Sequence, residues 1–313
     1  MTVEPASGPP GETRCGFVAL IGAPNSGKST LINALVGAKV AIITQKAQTT
    51  RAPVLGIAIE GQSQIILVDT PGIFQPKRRL DRAMSTAAWS RAGDADLVAL
   101  VIDAERAHTG RGLDAWLNPV FETLPTIKRP VVAVLNKIDL VARPELLHLA
   151  GDLSTRHAFA RTFMISALNG DGVPDLRTYL ASAVPPGPWI YPEDQLTDAP
   201  LRQAAAEITR EKLFLRLHDE LPYSLTVETE AWKELKDGSV RIEQTIYVMR
   251  DSQKKIVLGA KGATIKEISM AAREEIGEMV GSQVHLFLFV KVREHWGEDP
   301  ARYREMGLDY PKE

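Results

Sequence analysis

The sequence predicts two domains: an α/β domain with a doubly wound, mostly parallel sheet, then a smaller α+β domain of order α-β-β-α-α-β. Three observations carry this expectation. The length of 313 residues suits two domains. Six short runs before residue 184 are mostly apolar throughout rather than alternating, as strands covered on both faces are. Helical stretches lie between several of them. A segment with five prolines, PPGPWIYPEDQLTDAP at 185–200, then ends that rhythm, because proline removes backbone donors and breaks helices.

In chain order, residues 1–14 are polar and Pro/Gly-rich and are expected to form a flexible extension. The first domain spans 15–184. Its strands are expected at Phe17–Ala23, Val54–Glu60, Ile65–Thr70, Leu97–Asp103, Val131–Lys137 and Thr162–Ala167. The linker covers 185–200. The second domain, 201–294, begins with a helix from about Leu201 to Glu220. The strand-like segments SLTVETE and VRIEQTIYVM follow, separated by the turn KDGS. Next come a short helix, the turn GAKG, a helix from about Ala263 to Val280 and the strand VHLFLFVKV. Residues 295–313 read as a docked tail.

The composition, 44% hydrophobic and 24% charged, excludes collagenous, fully disordered and coiled-coil chains. A net charge of -2 means that any nucleic-acid contact must come from a local patch. The single cysteine, Cys15, excludes an intramolecular disulfide and a Cys-cluster metal site, which fits a reducing compartment. The six histidines lack metal-ligand spacing. No run of about 18 apolar residues and no secretory signal are present, so a cytoplasmic location is expected. A peripheral membrane contact through basic surface stays open.

Gly22-Ala23-Pro24-Asn25-Ser26-Gly27-Lys28-Ser29 matches G-x-x-x-x-G-K-[ST], between an apolar strand and a helix that Thr30 continues. Its glycines let backbone N–H groups wrap phosphate oxygens, and the helix N-terminus adds partial positive charge. Lys28 supplies a cation to the β- and γ-phosphates, and the Ser29 hydroxyl suits Mg²⁺. Asp69-Thr70-Pro71-Gly72-Ile73 closes another strand, where Asp69 can hold Mg²⁺ through a water and the Gly72 N–H can meet the γ-phosphate. Asn136-Lys137-Ile138-Asp139 follows a third. The Asp139 carboxylate can accept two hydrogen bonds from guanine, whereas adenine would leave it unpaired. The Asn136 amide can reach the other edge of the base, and the Lys137 stem can lie over the ring. Ser166-Ala167-Leu168 completes the pocket through the Ala167 N–H. These residues predict a GTP/GDP site. Asp94, Asp96 and Asp103 read as turn and cap residues.

In the second domain, Gly259-Ala260-Lys261-Gly262 is a G-x-x-G between two helical segments. It resembles the KH signature, whose loop clamps the backbone of about four nucleotides. Arg250, Lys254, Lys255, Lys261 and Lys266 against Asp251 give residues 250–266 a net charge of +4. Ile256, Val257, Ile265 and Ile268 either line a groove for bases or pack in the core, and core packing suits most of them.

Together these motifs resemble the translation-factor-like GTPases, and within them the Era family of ribosome-assembly GTPases with a C-terminal KH domain. The resemblance rests further on KAQTTR (Lys46–Arg51), ITREKL (Ile208–Leu213), ELPYS (Glu220–Ser224) and KVREHW. It implies a P-loop GTPase domain followed by a type II KH domain. It also implies GTP hydrolysis with Lys28, Ser29, Thr50, Asp69 and Gly72 in the catalytic set, and Mg²⁺ on Ser29, Thr50 and Asp69. Thr49 competes with Thr50 as the switch threonine, and Ala52-Pro53 depart from the family's basic residues. Ile73 and Phe74 stand where many GTPases carry a water-orienting Gln. Asn25 is then the candidate K⁺ ligand, or else a turn residue. The implied partners are small-subunit (16S) ribosomal RNA near its 3′ end and the 30S particle, bound by a monomer. Alternatives are a related GTPase acting on tRNA and an RNA adaptor that holds GTP without appreciable turnover.

Overall fold

The computed structural model describes residues 13–43, 54–70, 79–109, 113–197, 200–218 and 221–294. They divide into two compact units near residue 198.

The first unit runs β1 (Arg14–Gly22), α1 (Lys28–Val36), β2 (Val54–Glu60), β3 (Ser63–Asp69), α2 (Arg79–Asp94), β4 (Leu97–Asp103), α3 (Ala104–His108), α4 (Leu113–Thr123), β5 (Val131–Asn136), α5 (Arg143–Arg156), β6 (Arg161–Ile165) and α6 (Val173–Ala183). The sheet order is β2-β3-β1-β4-β5-β6. All neighbours are parallel except β2 and β3. Only Gly61 and Gln62 join β2 to β3, too short a link for a parallel crossover, and Gly61 takes φ 58 to make the turn.

The lack of alternation in the apolar runs has a direct cause. In β1, Val18 and Leu20 pack with Leu31 and Leu35 of α1 and Leu176 and Leu180 of α6. Ala19 and Ile21 join the opposite cluster with Ala88, Leu117 and Leu153. Both faces are covered, so both must be apolar.

The proline-rich stretch is laid along the first unit through Thr197. Cys15 N donates to Pro185 O at 3.0 Å and Ile57 N to Leu196 O at 2.9 Å. Trp189 is buried with Cys15, Leu55, Ile66 and Val68. The buried Gln64 side chain takes the Ile190 and Tyr191 amides at 2.9 and 3.0 Å and donates to Tyr191 O at 2.8 Å. The buried Trp189, the Gln64 side chain and these main-chain hydrogen bonds thus give this stretch a fixed course over the sheet.

The second unit runs α7 (Leu201–Arg216), β7 (Leu225–Glu234), β8 (Val240–Val248), α8 (Asp251–Leu258), α9 (Ala263–Val280) and β9 (Val284–Val292). The helix α7 stops short of the expected Glu220. Leu217 turns to ψ 153 and buries its side chain in the core with Leu221, just ahead of Pro222. The sheet order is β7-β8-β9, with β7–β8 antiparallel and β8–β9 parallel. Parallel neighbours need a crossover, and α8, the GAKG turn and α9 supply it. One core joins Ala206, Leu213, Val257 and Ile268 to Leu225, Ile246 and Val248 of the sheet. A second joins Ala205, Ile208, Ala272 and Ile276 to Val240, Ile242 and Val284.

Candidate functional site

The glycine loop leaves β1 and enters α1. Gly22 has φ 156 and Gly27 φ 94. A Cβ on Gly22 would lie 2.3 Å from Val101 O, and one on Gly27 2.1 Å from Asn136 Nδ2. The loop therefore hugs the ends of β4 and β5, and only glycine allows that approach. Asn25 sits at φ 65, a left-handed backbone that Asn tolerates. Helix α1 has no side-chain cap and no acidic residue in its first turn, so its N-terminal N–H groups and partial positive charge suit an anion. The Ser26 hydroxyl is buried with no hydrogen-bond partner among the described residues, a polar atom that a phosphate oxygen would satisfy.

Lys28 curls inside this loop and donates to Gly22 O at 3.2 Å and Ala23 O at 3.0 Å. Burial pushes its ammonium from the ordinary 10.5 down to about 8, against the pull of the Asp69 carboxylate. Ser29 Oγ donates to Asp69 Oδ2 at 2.8 Å. A hydroxyl and a carboxylate are the hard oxygen donors that Mg²⁺ takes, leaving its other positions to water and phosphate. No cluster of three or more His, Cys, Asp or Glu among the described residues offers a self-contained metal cage. Thr70 donates to Leu20 O at 2.6 Å and ties the end of β3 to β1. Thr50, Pro71, Gly72 and Ile73 lie outside the described residues.

Two polar groups expected in the base pocket make hydrogen bonds within the protein. The Asn136 side chain is committed to the protein: Nδ2 donates to Ser26 O and Oδ1 accepts from Ala167 N, both at 2.9 Å. It is 2% exposed. These bonds tie the phosphate loop, its own strand end and the Ser166-Ala167-Leu168 loop together and use one of the two Nδ2 N–H groups. For the same reason the Ala167 N–H is occupied by Asn136. Ser166 N in turn donates to Asp171 O at 2.9 Å and closes that loop. Lys137 holds φ 66 at the start of the short 3-10 turn Ile138–Leu140. Asp139 in that turn is exposed, as are Leu140 and Leu168. This is a carboxylate beside uncovered apolar surface, as a flat base requires.

Sequence reasoning missed Asp103. It caps α3, as expected of a cap residue, by accepting from Arg106 N at 3.1 Å. It also pairs with Lys137 Nζ at 2.5 Å. Arg106 then reaches Pro24 O of the phosphate loop at 3.3 Å. The available signal was its register: parallel β4 and β5 place Asp103 opposite Asn136.

In the second unit, Gly259 has φ 72, Lys261 φ 51 and Gly262 φ 80, so the turn folds back sharply. The two glycines differ. A Cβ on Gly259 would meet Thr264 Oγ1 at 2.2 Å, whereas one on Gly262 meets nothing within 4 Å. Gly259 serves loop closure, and Gly262 leaves open space for a close-approaching phosphate. Ala260, Lys261, Lys255 and Lys266 are exposed, and Lys254 is half-buried. Of the four apolar residues set between groove and core, Val257 and Ile268 are buried in the core, Ile265 packs against it, and Ile256 is 56% exposed.

Comparison with known proteins matches both halves. Residues 17–137 fit the 50S ribosome-binding GTPase family and residues 220–297 the KH domain family. GTPase Era of Afipia carboxidovorans is 64% identical over 301 residues, 96% of each chain. GTPase Era of Bradyrhizobium sp. strain BTAi1 is 63% identical over 313 residues, the whole of both chains. Among solved structures, Era in complex with MgGDPNP and nucleotides 1506–1542 of 16S ribosomal RNA has a TM-score of 0.88 at 36% identity, covering 94% of this chain and 99% of that one. An Aquifex aeolicus Era variant bound to GDP and AlF4⁻ has a TM-score of 0.85 at 36% identity, with the same coverage. With the phosphate loop, Mg²⁺ donors and G-x-x-G turn formed as described, the chain belongs to the Era family of GTPases.

Proposed function

We propose that this chain hydrolyses GTP to GDP and phosphate, binds small-subunit (16S) ribosomal RNA near its 3′ end through its KH half, and acts in 30S subunit maturation. The observation that carries the reading is the Ser29–Asp69 pair beside the buried Lys28 ammonium, in one chain with an open, basic G-x-x-G turn. The domain assignment that goes with it is an extension at 1–14, a GTPase domain at 15–184, a linker at 185–200, a KH domain at 201–294 and a tail at 295–313. We read the protein as a monomeric cytoplasmic factor, and among the described residues no helix is long and apolar enough to cross a membrane.

In this reading water attacks the γ-phosphorus, the bond to the β–γ bridging oxygen breaks, and GDP leaves with the electron pair. Lys28 exchanges its two loop carbonyls for β- and γ-phosphate oxygens. The α1 N–H groups hold the β-phosphate. Ser29, Asp69 and the switch threonine, Thr50, would hold Mg²⁺, which supplies charge neutralisation at the phosphates when bound. The Gly72 N–H meets the γ-phosphate. Asp139 selects guanine, with Lys137 against the ring. Ile73 cannot orient water, so hydrolysis relies on Mg²⁺, Lys28 and backbone donors, and the Asn25 side-chain oxygen would hold K⁺, which would supply further positive charge at the phosphates. Turnover in potassium chloride should exceed that in sodium chloride at equal ionic strength, and Asn25→Ala should remove the difference. Equal rates in the two salts would return Asn25 to a turn residue.

On the RNA side, the Gly262 N–H region, Lys261 and the flanking Lys254, Lys255 and Lys266 hold backbone phosphates, while bases lie against Ile256 and Ile265. The test is crosslinking to total RNA with GTP or GDP bound, followed by mapping. Enrichment at the 3′ end of 16S RNA is expected, stronger with GTP. Enrichment on tRNA would favour the related tRNA-acting class instead.

A further inference from the structure

The geometry points to Asp103 as a positioning residue for the nucleotide base, acting through Lys137. This rests on the reading that the Lys137 stem covers the ring. Three observations support it. Asp103 closes β4 in register with Asn136 of β5, so its carboxylate emerges one residue from Lys137 across the strand pair. Its side chain is 5% exposed, and Oδ2 meets Lys137 Nζ at 2.5 Å, whereas the Lys137 side chain is still 31% exposed along its length. The charged tip is therefore held by a buried partner while part of the side chain stays open to solvent. Finally, Lys137 occupies a left-handed backbone at φ 66, unusual for a long side chain and disfavoured without support. The ion pair, with the Leu140 N–H donating to Lys137 O at 3.1 Å, supplies that support.

The second carboxylate oxygen has a separate duty. Oδ1 accepts from Arg106 N and caps α3, whose Arg106 side chain reaches Pro24 O in the phosphate loop. Asp103 thus sits between a base contact and a phosphate contact. Asn is as good a helix cap as Asp, so Asp103→Asn can keep its oxygen on Arg106 N while an NH2 donor replaces Oδ2, which removes both the charge and the acceptor that fix Lys137. With its tip released, Lys137 must be ordered by the nucleotide itself, at an entropic cost.

The experiment measures GDP and GTP dissociation constants for the parent, Asp103→Asn, Lys137→Met and the double variant. Nucleotide-free thermal midpoints are measured in parallel, and affinities are compared at a temperature where every variant is folded. Each single change should weaken GDP and GTP alike by about tenfold, and the double variant should be no weaker than either. GDP and GTP should lose affinity equally, because the pair touches the base and not the γ-phosphate, and the nucleotide-free thermal midpoint should fall in both single variants, because the pair supports the Lys137 backbone. Parent-like affinity in Asp103→Asn, or additive losses in the double variant, would overturn the proposal. So would a loss of GTP affinity larger than that of GDP, which would show that Asp103 acts through α3 and the phosphate loop. Asp139→Asn is run alongside to report on the base site itself, and it should weaken guanine nucleotides by more than tenfold. If it does not, the base-site reading has failed, independently of how Asp103 behaves.

Discussion

Lys28→Ala is expected to lower GTP affinity or turnover at least about 100-fold, because it removes a preorganised charge from a water-poor loop. The Lys28 side chain is buried and its ammonium donates to the loop carbonyls Gly22 O and Ala23 O, so alanine leaves those oxygens facing the phosphates. The same burial predicts a pH signature. With its ammonium lowered to about 8, Lys28 loses its charge in the nucleotide-free protein as pH rises through that value. Phosphate binding must then recapture a proton, so GDP affinity should fall between about pH 8 and 10 in the parent and be flat there in Lys28→Ala. Stability without nucleotide moves the other way. Between about 8 and the ordinary 10.5 the unfolded chain binds the extra proton, so the fold gains stability as pH rises. Titrating GDP across a pH series with both proteins checks this. A variant that hydrolyses GTP at the parent rate, or that keeps the slope, would remove Lys28 from the chemistry.

Gly262→Asp should weaken binding of single-stranded RNA on the order of 100-fold, since like charges in a contact cost several kcal/mol. The position was chosen on structural grounds. A Cβ there meets nothing, and Asp tolerates positive φ better than most residues, so the KH fold should survive. Gly259→Asp is a poorer probe, because its Cβ would strike Thr264 and distort the loop without any RNA present. GTP hydrolysis without RNA should stay near normal in Gly262→Asp, for the substitution lies in the other compact unit. RNA affinity across a salt series, with turnover measured on the same preparation, decides it. Undiminished binding by a folded variant would move the RNA site away from the turn.

The phosphate loop was legible from sequence because its residues are contiguous, and a backbone cradle needs glycine at set places whatever surrounds it. The same holds for Gly259 and Gly262, and for the six first-domain strands, whose two covered faces force unbroken apolar runs. The antiparallel edge was implicit in the two-residue Gly61-Gln62 link. The Ser29–Asp69 pairing was foreseeable from the order of the motifs, since the loop that carries Ser29 into α1 leaves β1 at the same end at which Asp69 closes the neighbouring parallel strand β3.

What the sequence could not reveal is how each polar side chain divides its hydrogen bonds between ligand and protein. Asn136 and the Ala167 N–H looked equally able to meet a base, and only the folded loops show that they meet each other. Asp103 looked like a helix cap and is one, but its second oxygen finds Lys137 because β4 and β5 stand side by side. The prolines at 185–200 marked a break in secondary structure, yet where that chain runs depended on Trp189 finding a pocket and Gln64 finding two amides, each more than 120 residues away. Local backbone chemistry is written in neighbouring residues. The partners of a side chain are set by which strand ends the topology brings together, and that is decided only when the whole sheet forms.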